Sequence, residues 1–164
     1  MARLISEGRR NQFYLYLTLT CAYALMIFYL SSRSTLPQPP DLMSIEFVLR
    51  IVRFTERIGI EFVLFPFYFV YLYLDKFEHM LLYAGFGSLL YLTLSNLKEV
   101  SNVPVPVMII GILYAVTDEI HQSLVPGRLA SMADLFADAI GIIFALVAIL
   151  LYQKFKKYLS GLSQ

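Results

Sequence analysis

Residues 115–138 read AVTDEIHQSLVPGRLASMADLFAD, and this stretch decides how the chain folds. One apolar segment runs into it and another runs out of it, separated by a short turn that contains Pro126 and Gly127. Because a charged side chain is costly in an apolar environment, polar residues concentrated at such a junction indicate a site. The polar side chains at this junction are those of Asp118, Glu119, His121, Gln122, Arg128, Asp134 and Asp138.

The composition of the whole chain is that of a membrane protein. Of its 164 residues, 59% are hydrophobic and only 15% are charged. Several apolar runs reach the length of about 18 residues that marks a candidate membrane-spanning helix. The formal net charge is +1, so the chain lacks the basic footprint of a nucleic-acid-binding protein. The single cysteine, Cys21, lies in an apolar run and is expected to pack as a small hydrophobic residue.

The apolar runs predict an all-α polytopic membrane protein that forms a single domain over residues 1–164. The charged beginning of the chain imitates a signal peptide, but the run after it is too long and lacks a cleavage site, so we expect an uncleaved helix. Pro37, Pro39 and Pro40 are expected to end that helix, because proline removes a backbone donor. The four predicted transmembrane helices lie at about 12–30, 77–94, 103–120 and 132–152.

Residues 41–74 are predicted to form an amphipathic or interfacial segment instead of a further span. The second part of this segment, residues 59–74, is apolar and aromatic but short for a span, which favours an interfacial or re-entrant position. Its first part has a polar stripe with the helical spacing 4-3-4, formed by Glu46, Arg50, Arg53 and Arg57.

The distribution of lysine and arginine predicts the orientation in the membrane. Residues 1–11, 95–102 and 153–164 together hold seven basic and two acidic residues. Basic residues close to membrane helices are retained in the cytoplasm. We therefore expect both termini in the cytoplasm, which places the polar junction at the opposite, outer face of the membrane.

Polar side chains form a stripe on each of helices two, three and four near that outer face. Because a stripe facing lipid is unfavourable, we expect the three stripes to face one another in a wet cavity. At about 100° per residue, Glu119 falls outside the polar arc of helix three. The aligned residues are Lys76, His79 and Tyr83 on helix two, Asp118, His121 and Gln122 on helix three, and Asp134 and Asp138 on helix four.

These residues suggest acid–base chemistry or the binding of an anion. His79 has Asp75 one turn away and His121 has Asp118, and a neighbouring carboxylate can tune an imidazole. The candidate catalytic residues are His79, Asp118, Glu119, His121 and Asp134. The candidate residues for binding a phosphate or carboxylate substrate are Lys76, Tyr83, Gln122, Arg128 and Asp138.

Two further interpretations of the polar residues stay open. Carboxylates and basic groups that face one another can form ion pairs that only set the register of the helices. A metal site has less support, because two histidines on separate helices lack a recognised metal-binding spacing. No metal ligand is therefore predicted, and the sequence does not identify a cofactor.

An ordered set of motifs resembles the signatures of the VanZ-like membrane protein family. The first is Lys76-x-x-His79-x-x-x-Tyr83, and Leu30-Ser31-Ser32 also fits. The resemblance covers roughly residues 12–36 and 75–150, whereas the aromatic stretch 59–74 has no match in the motif set. Position 138 is often Asn in the family and is Asp here. The second signature is Asp118-Glu119-Ile120-His121-Gln122, Pro126-Gly127-Arg128 and Asp134-x-x-x-Asp138-x-x-Gly141.

The resemblance implies a cell-envelope protein of the bacterial plasma membrane. The family is named for a member associated with teicoplanin resistance, and the resemblance does not establish an enzymatic activity. Together with the polar stripes, it leads us to expect binding or modification of an anionic lipid-linked or glycopeptide-like ligand. The expected partners are membrane lipids and an anionic lipid-linked envelope precursor, with the oligomeric state undetermined. The alternatives are a non-catalytic membrane scaffold and, with less support, a small transporter.

Overall fold

The structure, a computed structural model, describes residues 2–34 and 45–162. These residues form helices and no strands, which confirms the predicted all-α fold. The predicted helix-breaking prolines at 37–40 and the first residues of the predicted segment 41–74 lie outside the described residues. The helices are α1 (Ala2–Ser31), α2 (Glu46–Ile58), α3 (Phe65–Leu72), α4 (Leu74–Leu94), α5 (Pro104–Ser123) and α6 (Met132–Leu162), and a 3-10 turn (Glu61–Leu64) precedes α3.

Three helices are long and apolar enough to cross a membrane. They are Glu7–Ser31 within α1, Pro104–Ser123, which is α5, and Met132–Gly161 within α6. Large apolar side chains stay exposed along all three, for example Leu25, Leu113 and Leu151. Exposed leucines on long apolar helices are suited to contact with lipid, and this part of the predicted architecture is confirmed.

α4 is the central helix of the bundle. It packs most extensively against α6, then against α1 and α5. Its buried side chains include Tyr83, Phe86 and Leu90, which join Val107 of α5 and Ile142 of α6 in the core. Because neighbouring helices cover much of its surface, α4 can carry more polar side chains than a helix surrounded by lipid.

The helices alternate in direction. Thr20 of α1 meets Thr93 at the end of α4 through their hydroxyls, 2.9 Å apart. The two ends of α4 meet the corresponding ends of α6, through Lys76 and Asp134 at one end and Tyr91 and Gln153 at the other. α4 and α6 therefore run in one direction, while α1 and α5 run in the other. The ends of α1 and α5 and the beginnings of α4 and α6 share one end of the bundle, here called the polar end.

Glycine allows α4 and α6 to approach closely near the polar end. A Cβ atom added at Gly141 would fall against the carbonyl oxygen of Met80 and within 3.0 Å of the backbone nitrogen of Ala84. A Cβ atom added at Gly87 would lie 3.3 Å from the Cα of Ile142. Small residues at a helix interface let the two backbones approach in this way. The same contact brings the side chains at the beginnings of the two helices within reach of one another.

Several helix boundaries differ from the predicted ones. α1 begins at Ala2 and α6 continues to Leu162, so both extend about ten residues beyond their apolar segments. α5 continues to Ser123, three residues beyond the predicted end at 120, so His121 and Gln122 lie within the helix. Hydropathy reflects the lipid-facing length of a helix, whereas backbone hydrogen bonding continues into charged segments that lie in water.

The segment between α1 and α4 contains no long helix in its described part. α2 carries the predicted polar stripe, on which Arg50 pairs with Glu46 at 3.3 Å, and Phe47 and Phe54 are exposed beside it. Gly59 ends this helix in the left-handed conformation, with φ of 73°. α3 has eight residues, or about 12 Å at 1.5 Å per residue, which is too short to cross a bilayer by itself.

Candidate functional site

The polar end holds an unusual concentration of buried polar side chains. Each of them is at most 8% exposed, and they come from α1, α5 and α6. Buried polar and charged groups normally pair with one another, so their contacts show which of them cooperate. The buried residues are Ser31, Asp118, Glu119, Gln122, Asp134 and Asp138.

His79 is paired with Asp138 across the α4–α6 contact. Its Nδ1 lies 2.9 Å from Oδ1 of Asp138, a residue with no exposed surface. The sequence suggests Asp75 as the partner, because it lies one turn before His79 on the same helix. The close contact at Gly141 instead presents Asp138, one turn earlier on α6, to the imidazole.

Lys76 is enclosed by two carboxylates. It forms an ion pair with Asp134 and a second with Asp75, 2.8 Å away. A partly buried ammonium group loses part of its hydration, and the two carboxylates replace the interactions that it loses. The positive charge of Lys76 is therefore balanced by carboxylates of the protein. The ion pair with Asp134 links the beginnings of α4 and α6.

Gln122 connects three parts of the chain through its amide. Its Nε2 donates to Oδ2 of Asp118 at 3.1 Å and to Oγ of Ser31 at 3.3 Å. Its Oε1 accepts a hydrogen bond from Nη2 of Arg128 at 2.9 Å. Ser31 at the end of α1 is thus part of the site, and the only sequence signal for it is the fit of Leu30-Ser31-Ser32 to a family motif.

Glu119 belongs to the buried cluster, although its position on the helical wheel places it outside the polar arc. It is 6% exposed, and its Oε2 accepts the backbone N–H of Ser131 at 2.6 Å. A helical-wheel projection describes one helix in isolation. In the structure, the beginning of α6 covers this side of α5, so Glu119 lies in the interior.

His121 faces away from the carboxylates. Its Nε2 lies 3.0 Å from the hydroxyl of Ser32, and its ring stacks on Phe28 with centroids 4.3 Å apart. The predicted pairing with Asp118 is not formed, because the contacts with Ser32 and Phe28 direct the imidazole toward α1. His121 therefore connects α5 to α1. Within the part of the chain that the structure describes, it forms no hydrogen bond with another candidate catalytic residue.

A small cavity penetrates the polar end. Its volume is about 30 Å³, enough for one water molecule or a single ion. Tyr83 closes its inner side, since this side chain is 1% exposed and packs on Phe86 and Tyr114. The polar side chains around the cavity are those of Ser31, Glu78, His79, Tyr83, Asp118, Gln122 and Arg128.

The family of the chain follows from a comparison with known families. The VanZ/LLP1 family model matches residues 13–153. The chain belongs to this family. No curated protein and no solved structure matches it.

Membership of the VanZ/LLP1 family confirms the resemblance drawn from the short motifs. The matched region contains every residue of the polar end, and it also includes α2 and α3, which the motifs did not cover. Together with the three long apolar helices, membership supports the prediction of a membrane protein. It does not by itself assign a ligand to the site.

Proposed function

We propose that this VanZ/LLP1-family protein binds the anionic headgroup of a lipid-linked cell-envelope molecule at its polar end. The observation that carries the proposal is the setting of Arg128. Its guanidinium is held by the neutral amide of Gln122, and no carboxylate of residues 2–34 and 45–162 forms an ion pair with it. A guanidinium has five N–H donors in a planar fork, so most of them remain for a phosphate or carboxylate.

Lys76 has a different role from Arg128 in this proposal. Its ion pairs with Asp75 and Asp134 leave it less suited to hold a ligand, and they favour a structural function for this group. The scaffold interpretation thus applies to Lys76 and Asp134, while the ligand-binding interpretation applies to Arg128 and to the cavity beneath it.

The proposal includes four membrane spans, with α4 as the fourth. α1 and α5 run in the same direction, so the chain has to return across the membrane between them. α4 runs the opposite way, lies among the three long helices and has 21 residues, about 31 Å at 1.5 Å per residue. That length equals the thickness of the hydrocarbon core of a bilayer.

We further propose that the polar end lies at the outer face of a bacterial plasma membrane. The opposite end carries the basic residues of the N-terminal segment, of the loop after α4 and of the end of α6, which favours the cytoplasm for both termini. A headgroup in the outer leaflet then meets Arg128 at the level of the membrane surface. A glycopeptide-like ligand with a free carboxylate would use the same guanidinium.

Modification of a bound ligand would involve His79. Its imidazole lines the same cavity as Arg128 and is hydrogen-bonded to Asp138, the arrangement of a general base with an orienting carboxylate. Release of inorganic phosphate or of a lipid alcohol from the bound ligand would identify such a reaction.

Arg128→Gln tests the binding proposal. Full-length protein in nanodiscs is titrated with a long-chain polyprenyl phosphate and, separately, with the uncharged polyprenol. Since hydrogen bonds to charged groups contribute about 1.5–3 kcal/mol, the substitution should weaken phosphate binding by about 10- to 100-fold. The phosphate affinity of Arg128→Lys should lie between those of the wild type and Arg128→Gln, because lysine keeps the charge but lacks the planar fork of donors.

The matched control is Arg53→Gln, which removes an exposed arginine of α2 and should leave the affinity unchanged. Equal affinity for the phosphate and the alcohol would contradict the proposal, as would wild-type affinity in Arg128→Gln.

A further inference from the structure

We infer that His79, Glu119 and Asp138 form a binding site for one divalent transition-metal ion, Zn²⁺ or Mn²⁺. The three residues come from α4, α5 and α6, and each can offer one ligand atom. Those atoms all lie within 4.8 Å of one another. Binding of the metal alone goes beyond the proposed function and does not depend on it.

The separations are close to those of a bound metal. With metal–ligand bonds of about 2.0–2.1 Å and tetrahedral geometry, neighbouring ligand atoms lie about 3.3 Å apart. The Nδ1 of His79 and Oδ1 of Asp138 are already 2.9 Å apart. No pair of ligand atoms is more than 4.8 Å apart, so rotation of the Glu119 side chain is the movement expected to complete the set.

Carboxylate oxygens without a partner point independently to a missing ligand. Among the described residues, Oδ1 of Asp118, Oε1 of Glu119, Oδ2 of Asp138 and the hydroxyl of Tyr83 are buried without a hydrogen-bond partner. Two of these oxygens belong to the proposed ligands Glu119 and Asp138, which are only 6% and 0% exposed. A buried carboxylate oxygen without a partner is unfavourable, because it has lost its water. A cation coordinated by both carboxylates would supply the interaction that each of them lacks.

The local charge also favours the binding of a cation. Asp118, Glu119 and Asp138 are all buried at the polar end, and His79 can contribute at most one positive charge. Lys76 is already paired with Asp75 and Asp134. A divalent ion beside a neutral imidazole would offset two of the three carboxylates.

The protein holds these ligands in place before an ion arrives. The other oxygen of Glu119 is fixed by the N–H of Ser131, and a hydrogen bond of this kind orients a metal ligand toward its ion. The glycine contact between Gly141 and Met80 sets the spacing of the two helices that carry Asp138 and His79.

The donor set of one nitrogen and two carboxylates indicates the class of metal. Imidazole suits zinc and other late transition metals, and carboxylates also suit Mn²⁺, whereas Ca²⁺ and Mg²⁺ prefer oxygen ligands alone. Three protein ligands leave at least one coordination position open, as in metal sites that bind a water molecule or a substrate oxygen. Cys21, the only cysteine, lies exposed on α1 and takes no part.

A metal at this position would also contribute to recognition of the headgroup, a statement that rests on the proposed function. His79 and Arg128 line the same cavity, which has room for one small group, so a single oxygen of a phosphate held by Arg128 would approach an open coordination position. Metal binding is measured in the absence of lipid, and headgroup binding is measured by lipid titration. A failure of the metal site can therefore be distinguished from a failure of the proposed headgroup binding.

The test uses full-length protein in detergent, stripped with a chelator and then dialysed against ZnCl₂ or MnCl₂ alone. Metal content after dialysis should approach one ion per chain for the wild type. Glu119→Gln and Asp138→Asn should each lower the affinity at least tenfold, whereas CaCl₂ and MgCl₂ should bind more weakly than either metal.

Asp75→Asn and Glu99→Gln are the matched controls, because both remove an exposed carboxylate outside the three ligands. They should bind metal as the wild type does. Wild-type affinity in both ligand variants would overturn the site, as would a wild type that binds no metal.

A spectroscopic measurement on the wild type covers the case in which a variant fails to fold. Co²⁺ added to stripped protein should give visible absorption bands of a nitrogen- and oxygen-coordinated ion and should raise the unfolding temperature. A Co²⁺ spectrum identical to that of the buffer, with no change in unfolding temperature, would overturn the site without reference to any variant.

Discussion

Gln122 is a neutral side chain at the centre of a charged cluster, and its amide combines two functions. Its NH₂ group donates to Asp118 and Ser31, while its carbonyl oxygen accepts from Arg128. A glutamate at this position could not donate to Asp118. The amide therefore holds a guanidinium without neutralising it, which is the condition that the proposed anion binding requires.

Gln122→Met should destabilise the protein by about 2–4 kcal/mol, because it leaves buried polar groups on Asp118, Ser31 and Arg128 without partners. The volume of the side chain is nearly conserved, so packing contributes little to the change. The measurement is reversible unfolding of detergent-solubilised protein. Gln12→Met, on the exposed surface of α1, is the control and should change stability by less than about 0.5 kcal/mol. Similar stability of the two variants would show that the amide bonds of Gln122 contribute nothing to the folded state.

The sequence identifies most of the residues at the polar end but not their pairs. His79, Lys76 and Arg128 are recognisable, because polar side chains at helical spacing are rare in apolar segments and costly when they face lipid. The partner of His79 is predicted to be Asp75, one turn away on the same helix, whereas the imidazole meets Asp138 of another helix. Lys76, for which no partner is predicted, meets Asp134 across the same two helices. Such pairs depend on the rotation and spacing of helices, which a single sequence does not encode in a readable pattern.

At the scale of elements, the α4–α6 contact determines the geometry of the site. Both helices begin at the polar end, and Gly141 allows their backbones to touch one turn below His79 and Asp138. A wider spacing would separate the imidazole from the carboxylate. Packing in the apolar part of the bundle is thus coupled directly to the chemistry at its end.

Gly141→Ala should destabilise the bundle by about 1–3 kcal/mol, because the added methyl group collides with backbone atoms that cannot rotate away. It should also lower metal affinity, by moving the ligands of α4 and α6 apart. Gly161→Ala provides the control on the same helix, where a Cβ meets nothing within 4 Å. The control should be neutral or stabilising by up to about 1 kcal/mol, because alanine favours helix formation. Unfolding and metal titration measure both effects, and equal behaviour of the two variants would contradict the role assigned to the contact.

The existence of the helices is predictable from the sequence, whereas their ends are not. The length of the apolar runs identifies α1, α5 and α6, because a helix that crosses a bilayer must be long and apolar. The extension of α5 to Ser123 is missed, because Pro126 and Gly127 indicate where a turn lies but not how far the preceding helix reaches.

At the scale of the whole molecule, the site exists only when four helices meet. Ser31, His79, Gln122 and Asp134 come from four different elements, and the alternating directions bring them to one end. The order of the polar stripes along the chain predicts this convergence. It cannot predict that α4 lies at the centre, because hydropathy does not distinguish a helix covered by protein from one covered by lipid.

Cysteine labelling tests the proposed orientation. In a Cys21→Ser background, Leu129→Cys places a thiol in the loop at the polar end, at a position 86% exposed. Lys98→Cys places one in the loop between α4 and α5, at the opposite end. A membrane-impermeant maleimide should label the first in intact cells and the second only after permeabilisation.

The Cys21→Ser protein without an added cysteine is the control and should give no signal. Equal labelling of both cysteine variants in intact cells would contradict the four-span arrangement.

The alternating helix directions have an electrostatic consequence for the polar end. A helix carries a partial positive charge of about half an elementary charge at its beginning and the opposite charge at its end. Two beginnings and two ends meet here, so their fields cancel at a distance but not within the first turn of each helix. Asp75 and Asp134 lie in the first turns of α4 and α6. The peptide backbone thus provides a favourable field for the acidic groups, and no side-chain substitution that preserves the fold would remove it.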